Sequence, residues 1–88
     1  MYTVKSEHFL FSQLGEEGVI FDINKNEYFS LNETYTKIYL GAQNGLLLEQ
    51  IVALLVNEYS IDEITCFSEV EIALNKLLAN GYLEKQNS

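Results

Sequence analysis

Residues 18–32 read GVIFDINKNEYFSLN. Within this stretch, two runs of apolar, aromatic and β-branched residues, 19–23 and 27–31, lie on either side of the polar triplet Asn-Lys-Asn. Such a pattern is typical of an antiparallel hairpin. Asparagine tolerates a positive φ better than most residues, which suits a three-residue turn at this triplet. The segment therefore predicts the two strands around which the fold is organised.

The second strand of this hairpin presents two different rows of side chains, because successive side chains of a strand point to opposite faces. One row holds Glu27, Phe29 and Leu31, and the other carries the hydroxyl groups of Tyr28 and Ser30. The chain that follows has helical periodicity, so few strands are left to pair with this one. We expect one edge of the small sheet to be open.

The remaining elements are predicted from periodicity and from the residues that begin and end helices. A strand within residues 2–14 precedes the hairpin and pairs with it. The predicted helices are 33–43 after the N-cap Asn32, about 47–59, and a third from the capping box Ser68-Glu69-Val70-Glu71 to Asn80-Gly81. The fold class is α+β, with a small three-stranded antiparallel sheet followed by three helices, like a winged helix. We expect residues 1–88 to form one domain, with 84–88 a frayed tail.

The composition excludes several classes of protein. The 13 acidic and 5 basic side chains give a net charge of −8, which repels nucleic-acid phosphates and anionic membrane surfaces. No apolar run approaches the roughly 18 to 20 residues of a membrane span, and the N-terminus lacks the basic and apolar blocks of a signal peptide. The single cysteine, Cys66, cannot form an intramolecular disulfide. We therefore expect a cytoplasmic protein that binds neither nucleic acid nor membrane.

The sequence offers no set of residues suited to catalysis or to holding a metal or cofactor. One histidine, His8, and one cysteine cannot supply a histidine cluster, a Cys-x-x-Cys motif or a Ser/His/Asp triad. Paired carboxylates such as Glu16-Glu17 stand beside turns, where solvated surface positions explain them. We expect Cys66 to be a buried structural thiol, since no basic residue adjoins it in sequence. The chain is predicted to be a non-catalytic binding module without a cofactor.

Several short motifs, taken in their order along the chain, resemble one protein family. They are Gly18-Val19-Ile20-Phe21-Asp22, Tyr28-Phe29-Ser30-Leu31-Asn32, Ile38-Tyr39, Asn44-Gly45 ahead of a helix with Ile51-Val52, and Val70, Leu74 and Leu77 before Asn80-Gly81-Tyr82-Leu83. The set is similar to the PqqD-like family of precursor-peptide recognition elements, which serve ribosomally made and then modified peptides. Without a fused domain, the chain most resembles the free-standing recognition proteins of lasso-peptide clusters.

The resemblance implies that a leader peptide adds as a strand to the edge of residues 27–31 and is held against the third helix. The bound precursor would then be presented to a separate leader peptidase or other maturation enzyme. The residue pattern favours the same site, since an open edge beside a helix flank centred on the small Ala73 leaves room for a peptide. The predicted peptide-binding residues are Glu27, Tyr28, Phe29, Ser30, Leu31, Glu69, Val70, Ala73, Leu74, Lys76 and Leu77.

Within this site we expect a pocket between the strand and the third helix. It is built from Tyr28, Ser30 and Leu31 on the strand with Val70, Ala73, Leu74 and Leu77 on the helix. Leu74 and Leu77 fit equally well as core residues that also floor a groove. The carboxylates of Glu27 and Glu69 would pair with lysines or arginines of the peptide. The open strand edge also offers a route to a homodimer.

Two other functions fit parts of the same pattern. The second and third helices with their short connection are compatible with the helix-turn-helix of a DNA-binding winged helix. The third helix, however, sets Glu69 and Glu71 against one Lys76, whereas phosphate neutralisation needs several cations. An adaptor that binds only a folded protein would instead use Ile72 and the apolar run 46–48.

Overall fold

The computed structural model describes residues 2–3 and 8–85 of the chain. Its strands and helices, in chain order, are β1 (Tyr2–Thr3), β2 (Phe9–Leu14), β3 (Glu17–Asp22), β4 (Glu27–Leu31), α1 (Glu33–Gln43), α2 (Leu48–Tyr59), α3 (Glu63–Ala79) and β5 (Glu84–Lys85). The strands β2, β3 and β4 form an antiparallel sheet in that order, and the helices follow it. The predicted α+β class, with a three-stranded antiparallel sheet ahead of three helices, is confirmed.

The register of the sheet decides which side chains face the helices. Ile20 lies opposite Phe29, and Gly18 lies opposite Leu31. Ile20 and Leu31 are buried, and Phe29 is half-buried. Tyr28 and Ser30, whose side chains lie on the opposite face of β4, are exposed. The alternation predicted along the second hairpin strand is therefore confirmed, with its apolar row facing the core.

The two hairpin turns differ in length. Gly15, with φ at +63°, lets the β2–β3 turn close with two residues. The β3–β4 connection uses the four residues 23–26, one more than predicted, and Asn26 takes the positive φ of +54°. Asp22 Oδ1 accepts a hydrogen bond from the Lys25 backbone N–H at 3.0 Å, so the side chain before the turn fixes its shape.

The predicted span of α1 is confirmed, whereas the predicted start of α3 is wrong. α1 spans the predicted residues, and Asn32 Oδ1 accepts a hydrogen bond from the Tyr35 N–H at 2.9 Å. α3 begins well before the predicted Ser68, because Asp62 is its N-cap and accepts a hydrogen bond from the Thr65 N–H at 2.9 Å. The capping-box pattern at Ser68 therefore lies inside a helix that has already started.

The two ends of the described chain pair with each other. Tyr2 lies opposite Lys85, and Thr3 lies opposite Glu84, in an antiparallel ladder. The prediction of a frayed tail over 84–88 is therefore wrong for its first two residues, which find a partner strand at the other end of the chain. Residues 1, 4–7 and 86–88 lie outside the described residues.

One hydrophobic core lies between the inner face of the sheet and the helices. Ile20 of β3, Tyr39 of α1, Ile51 of α2 and Leu74 of α3 contribute large buried side chains to it. Cys66 is buried in the same core, as predicted. Burial, with a smaller effect of the Glu69 carboxylate, raises the pKa of the Cys66 thiol, which disfavours a reactive thiolate.

The longest helix in residues 2–3 and 8–85 is α3, with 17 residues. In this part of the chain, no helix has both the length and the apolar character needed to cross a membrane.

Candidate functional site

β4 is an outer strand of its sheet, and no other described strand pairs with its second edge. The hydrogen-bonding pattern shows where its backbone groups point. The Ile23 N–H donates to the His8 carbonyl at 2.8 Å, and bonded pairs alternate with unbonded pairs in an antiparallel ladder. The odd-numbered residues of β3 therefore bond to β2, and the even-numbered ones bond to β4.

This alternation identifies the backbone groups at the open edge of β4. The even-numbered residues of β3 lie opposite Glu27, Phe29 and Leu31, so these three use their N–H and C=O groups within the sheet. Tyr28 and Ser30 turn theirs toward the open edge. β4 carries neither a proline nor a lysine, which are common means of blocking strand addition. The edge can therefore accept a further strand.

A groove of about 630 Å³ lies beside the last residues of β4. Ser30 and Leu31 of β4, Tyr35 of α1 and Lys76 of α3 all line it. Its other lining residues are Leu14, Glu17, Gly18, Val19, Phe29 and Asn32. The groove thus brings the open strand edge together with two helices.

A second groove, of about 330 Å³, adjoins the first, because Asn32 and Tyr35 line both. Its other lining residues come from α1 and α3, and they are Thr34, Ile38, Glu69, Ile72 and Ala73. We call the two grooves together the edge channel. It runs from the open edge of β4 to the middle of α3.

The strand half of the predicted site is accessible in part. The side chain of Tyr28 is 72% exposed, and Ser30 is also exposed, both on the outer face of the sheet. Phe29 is half-buried and Leu31 is buried, although both border the edge channel. Glu27 is exposed at the start of β4 and does not line the channel.

Three residues from the helix half of the predicted pocket lie in the core. Val70, Leu74 and Leu77 are exposed by at most 1% and belong to the core. They share the one face of α3 that packs against the rest of the core, so they have no surface left for a peptide. Ala73 is also buried but lines the second groove. The structure therefore separates the apolar stripe of α3 from its accessible flank.

The flank of α3 that lines the edge channel consists of Glu69, Ile72, Ala73 and Lys76, of which all but Ala73 are exposed. Three of the four belong to the predicted site. Ile72 does not belong to the predicted site. The helical pattern places its side chain away from the core but does not show which part of the protein it faces.

The α1 side of the channel was not predicted either. Asn32, Thr34 and Tyr35 line it, whereas in the sequence they appear only as the N-cap and first turn of a helix. One feature of the sequence pointed to these channel residues. The predicted N-cap at Asn32 places the first turn of α1 directly after β4, and therefore beside its open edge.

The charges along the channel differ at its two ends. Lys76 lies in the first groove and Glu69 in the second, and a rise of 1.5 Å per residue separates their positions by about 10 Å along the helix axis. Glu17 adds a carboxylate to the first groove. A bound segment would therefore meet one ammonium group and two carboxylates.

The site holds no evident set of reacting groups. Within residues 2–3 and 8–85, no group of three or more His, Cys, Asp or Glu side chains is placed to hold a metal ion. The one cysteine is buried, and its thiol pKa is raised. The channel combines backbone groups, apolar surface and a few charges, which is the chemistry of peptide binding.

Comparison with known proteins gives a family match. A family model described as "Coenzyme PQQ synthesis protein D (PqqD)" matches residues 17–83. No curated protein matches the chain.

Two solved structures have a similar fold over nearly the whole chain. One, "TbiB1 in Complex with the TbiA(beta) Leader Peptide", is 23% identical, with 98% of this chain and 99% of that chain covered and a TM-score of 0.83. Another, "Lasso peptide synthetase B1 complexed with the leader peptide", is 19% identical, with 96% and 98% covered and a TM-score of 0.84. At these identities the likeness establishes the fold.

Proposed function

The chain belongs to the PqqD family, and on that premise we propose that it is a non-catalytic module that captures the leader segment of a ribosomally made precursor peptide. The leader adds as a strand to the open edge of β4. The observation that carries this proposal is the open edge at Tyr28 and Ser30, continued by a channel along α3.

The structural relatives support this assignment. Both are described as complexes with a leader peptide. This chain has a similar fold over nearly its whole length, with the strand edge and the flank of α3 accessible in the described residues. We infer that it binds the same class of ligand, and that the ligand belongs to the lasso-peptide group.

Simple magnitudes show that strand pairing needs additional contacts. Ordering one peptide residue costs about 1 to 2 kcal/mol, whereas one hydrogen bond returns a net of about 0.5 to 1.5 kcal/mol. A large apolar side chain that becomes buried adds roughly 1.5 to 3 kcal/mol. The edge channel provides surface for such burial beside the open edge. Backbone pairing then sets the register, and apolar anchors supply much of the affinity.

We assign a role in peptide binding to each predicted site residue from its position. Tyr28 and Ser30 offer backbone groups, while Phe29, Glu69, Ala73 and Lys76 line the channel. Glu27 lies where it can meet a cation of the peptide. Leu31, Val70, Leu74 and Leu77 hold the strand and helix in place from within the core.

A module that binds but does not react needs an enzyme partner. We propose that this chain, as a single cytoplasmic domain, presents the precursor to a separate leader peptidase or other maturation enzyme. Its contribution is a raised local concentration of the precursor at that enzyme.

Proline substitution at the open edge tests the proposal. The probe is a fluorescein-labelled leader peptide of a lasso-peptide precursor that binds the unmodified protein, and binding is measured by fluorescence anisotropy. Tyr28→Pro removes an edge N–H and should weaken binding about tenfold or more. Tyr28→Ala keeps that N–H and should bind more tightly than the proline variant.

The matched control is Gln13→Pro, on the opposite edge of the same sheet. Gln13 lies in β2, and its pair with Gly18 is an unbonded one by the same alternation, so its N–H also points away from β3. This variant should bind the leader like the unmodified protein. Equal binding by folded Tyr28→Pro and Gln13→Pro proteins would reject strand addition at β4.

A further inference from the structure

A separate apolar groove, of about 210 Å³, lies between α1 and α2. Its apolar lining residues are Leu40, Leu46, Ile51, Leu54 and Leu55, and the others are Lys37, Gly41, Asn44 and Glu58. We call it the helix groove. Small-molecule sites have volumes of roughly 300 to 1,000 Å³. The smaller helix groove therefore suits one or two side chains of a protein partner better than a cofactor.

The helix groove and the edge channel have no lining residue in common. They lie on different sides of α1. In a helix with 3.6 residues per turn, Ile38 of the channel and Leu40 of the groove point about 160° apart. A protein bound in the helix groove therefore leaves the open edge of β4 and the channel accessible.

The helix groove has a closely packed floor and an exposed apolar wall. Ile51 and Leu55 are buried. A Cβ atom at Gly41 would lie 3.1 Å from Ile51 Cγ1, so this glycine allows the Ile51 side chain to pack directly against α1. Leu54, by contrast, is 55% exposed, although it is a large apolar residue that lines the groove. A partner that covers Leu54 would remove this apolar surface from water.

The accessible charge at the rim of the helix groove is negative. Lys37 Nζ lies 2.5 Å from Glu58 Oε1 and 3.8 Å from Glu16 Oε2. The lysine side chain is only 27% exposed, whereas those of Glu58 and Glu16 are 48% and 70% exposed. Residues 38–75 add no lysine, arginine or histidine. An incoming group therefore meets carboxylates more readily than the ammonium group.

This charge distribution narrows the class of partner. A second copy of the chain carries the same net charge of −8 and would be repelled. A nucleic acid or an anionic membrane would be repelled for the same reason. An amphipathic helix with basic residues beside its apolar face complements both the apolar wall and the acidic rim.

We propose that the helix groove docks an amphipathic helix of a basic partner protein. Aliphatic or aromatic side chains of that helix, spaced three or four residues apart, enter the groove and cover Leu54. Lysines or arginines on its flank pair with the carboxylates of Glu16 and Glu58. Because this surface is separate from the edge channel, the partner binds whether or not a peptide occupies β4.

Selection from a random peptide library tests the helix groove. The probe is an mRNA-display library of random 16-residue peptides, selected separately on the unmodified protein, Leu54→Asp and Ile64→Asp. Ile64 is the matched control, because it is an aliphatic residue of α3 that is 82% exposed and lines neither the helix groove nor the edge channel. Each variant adds one negative charge at an exposed position, and thermal melts confirm that both fold.

Peptides that are enriched on the unmodified protein and on Ile64→Asp, but not on Leu54→Asp, should have a positive net charge and apolar residues spaced three or four apart. Synthetic copies of them should bind Leu54→Asp about tenfold or more weakly than the unmodified protein. They should bind Ile64→Asp and Tyr28→Pro within about twofold of it. Asn44→Trp, which fills the groove from the end of α1, should weaken binding as Leu54→Asp does.

The acidic rim is tested with the same synthetic peptides. Glu16→Gln should weaken their binding by less than about tenfold, and the difference should shrink at high salt. The matched control is Glu63→Gln, which removes an exposed carboxylate that does not line the helix groove and should leave binding unchanged. A proline in the middle of the peptide should abolish binding, because the bound peptide is helical.

Three results would overturn the helix groove as a docking site. One is the absence of any peptide whose enrichment depends on Leu54. Another is a set of Leu54-dependent peptides with a negative net charge or without the helical spacing of apolar residues. The third is loss of their binding to folded Tyr28→Pro protein, which would place them in the edge channel. None of these results bears on leader binding at β4, which is measured separately with the labelled leader.

Discussion

The two surfaces of α3 differ both in how apolar they are and in how far they are buried. Val70, Leu74 and Leu77 are almost wholly buried. On the neighbouring flank, Ile72 stands exposed between Glu69 and Lys76 and lines the edge channel. In a small domain, the most apolar stripe of a helix is therefore taken up by the protein's own core. The surface left for a ligand is the mixed flank beside that stripe.

The largest expected effect is on the free energy of unfolding, when one apolar side chain on each surface of α3 is shortened to alanine. Leu74→Ala should lower the free energy of unfolding by about 2 to 5 kcal/mol, because it leaves a cavity in the core. Ile72→Ala should change it by less than about 0.5 kcal/mol. Urea unfolding followed by circular dichroism measures both. Equal destabilisation by the two variants would contradict the division of α3 into a core face and a channel flank.

α1 shows the same division in a pair of tyrosines. Tyr39 is fully buried, and its hydroxyl has no hydrogen-bond partner in the described structure, whereas Tyr35 is half-buried and lines the edge channel. Tyr39→Phe removes a buried polar group without changing the shape of the core. It should raise the free energy of unfolding by about 1 kcal/mol, while Tyr35→Phe should leave stability nearly unchanged.

The pH dependence of the free energy of unfolding tests the burial of Tyr39. Burial raises the pKa of Tyr39 from 10.0 to about 12, so the unfolded chain ionises at lower pH than the folded one. Ionisation of Tyr39 therefore leaves the free energy of unfolding unchanged below pH 10 and lowers it as the pH rises from 10 toward 12. Tyr39→Phe should lose less stability across this interval than the unmodified protein. A parallel loss in both proteins would show that Tyr39 is not the group responsible.

The smallest expected effect concerns charge on the channel flank. Lys76→Glu should weaken binding of a leader peptide that carries an acidic residue near the strand-paired stretch, by about 0 to 1 kcal/mol, which is less than tenfold. The difference should shrink at high salt, because salt screens exposed charges. Isothermal titration calorimetry at two ionic strengths measures it. The peptide affinity of Lys76→Gln should lie between those of the unmodified protein and Lys76→Glu. A difference in affinity that does not change with salt would indicate a change in packing instead.

Several features of the fold could be predicted because they depend on neighbours in the chain. The hairpin at β3 and β4 follows from alternating side chains on either side of a polar turn. α1 follows from the N-cap Asn32 and from Gly45, which takes a φ of +85°. The start of α3 was wrong because two capping signals, at Asp62 and Ser68, compete locally, and the helix begins at the earlier one.

The candidate site was predicted only in part, since it is made where distant segments meet. The open edge at Tyr28 and Ser30 could be predicted from the order of strands and helices, because few strands are left to pair with β4. The choice of α3 flank was not, because the side of a helix that faces a strand depends on how that helix packs on α1 and α2. The same limit explains β5, whose partner β1 lies at the opposite end of the chain.

The fold class, the alternation along β4 and the unpaired strand edge follow from the amino-acid pattern, because local geometry sets these features. The burial of Val70, Leu74 and Leu77 in the core, and the position of Ile72 and Lys76 in a channel with Tyr35, depend instead on how distant segments pack. Helical periodicity places residues on faces, but packing between elements decides which face is covered and which remains open.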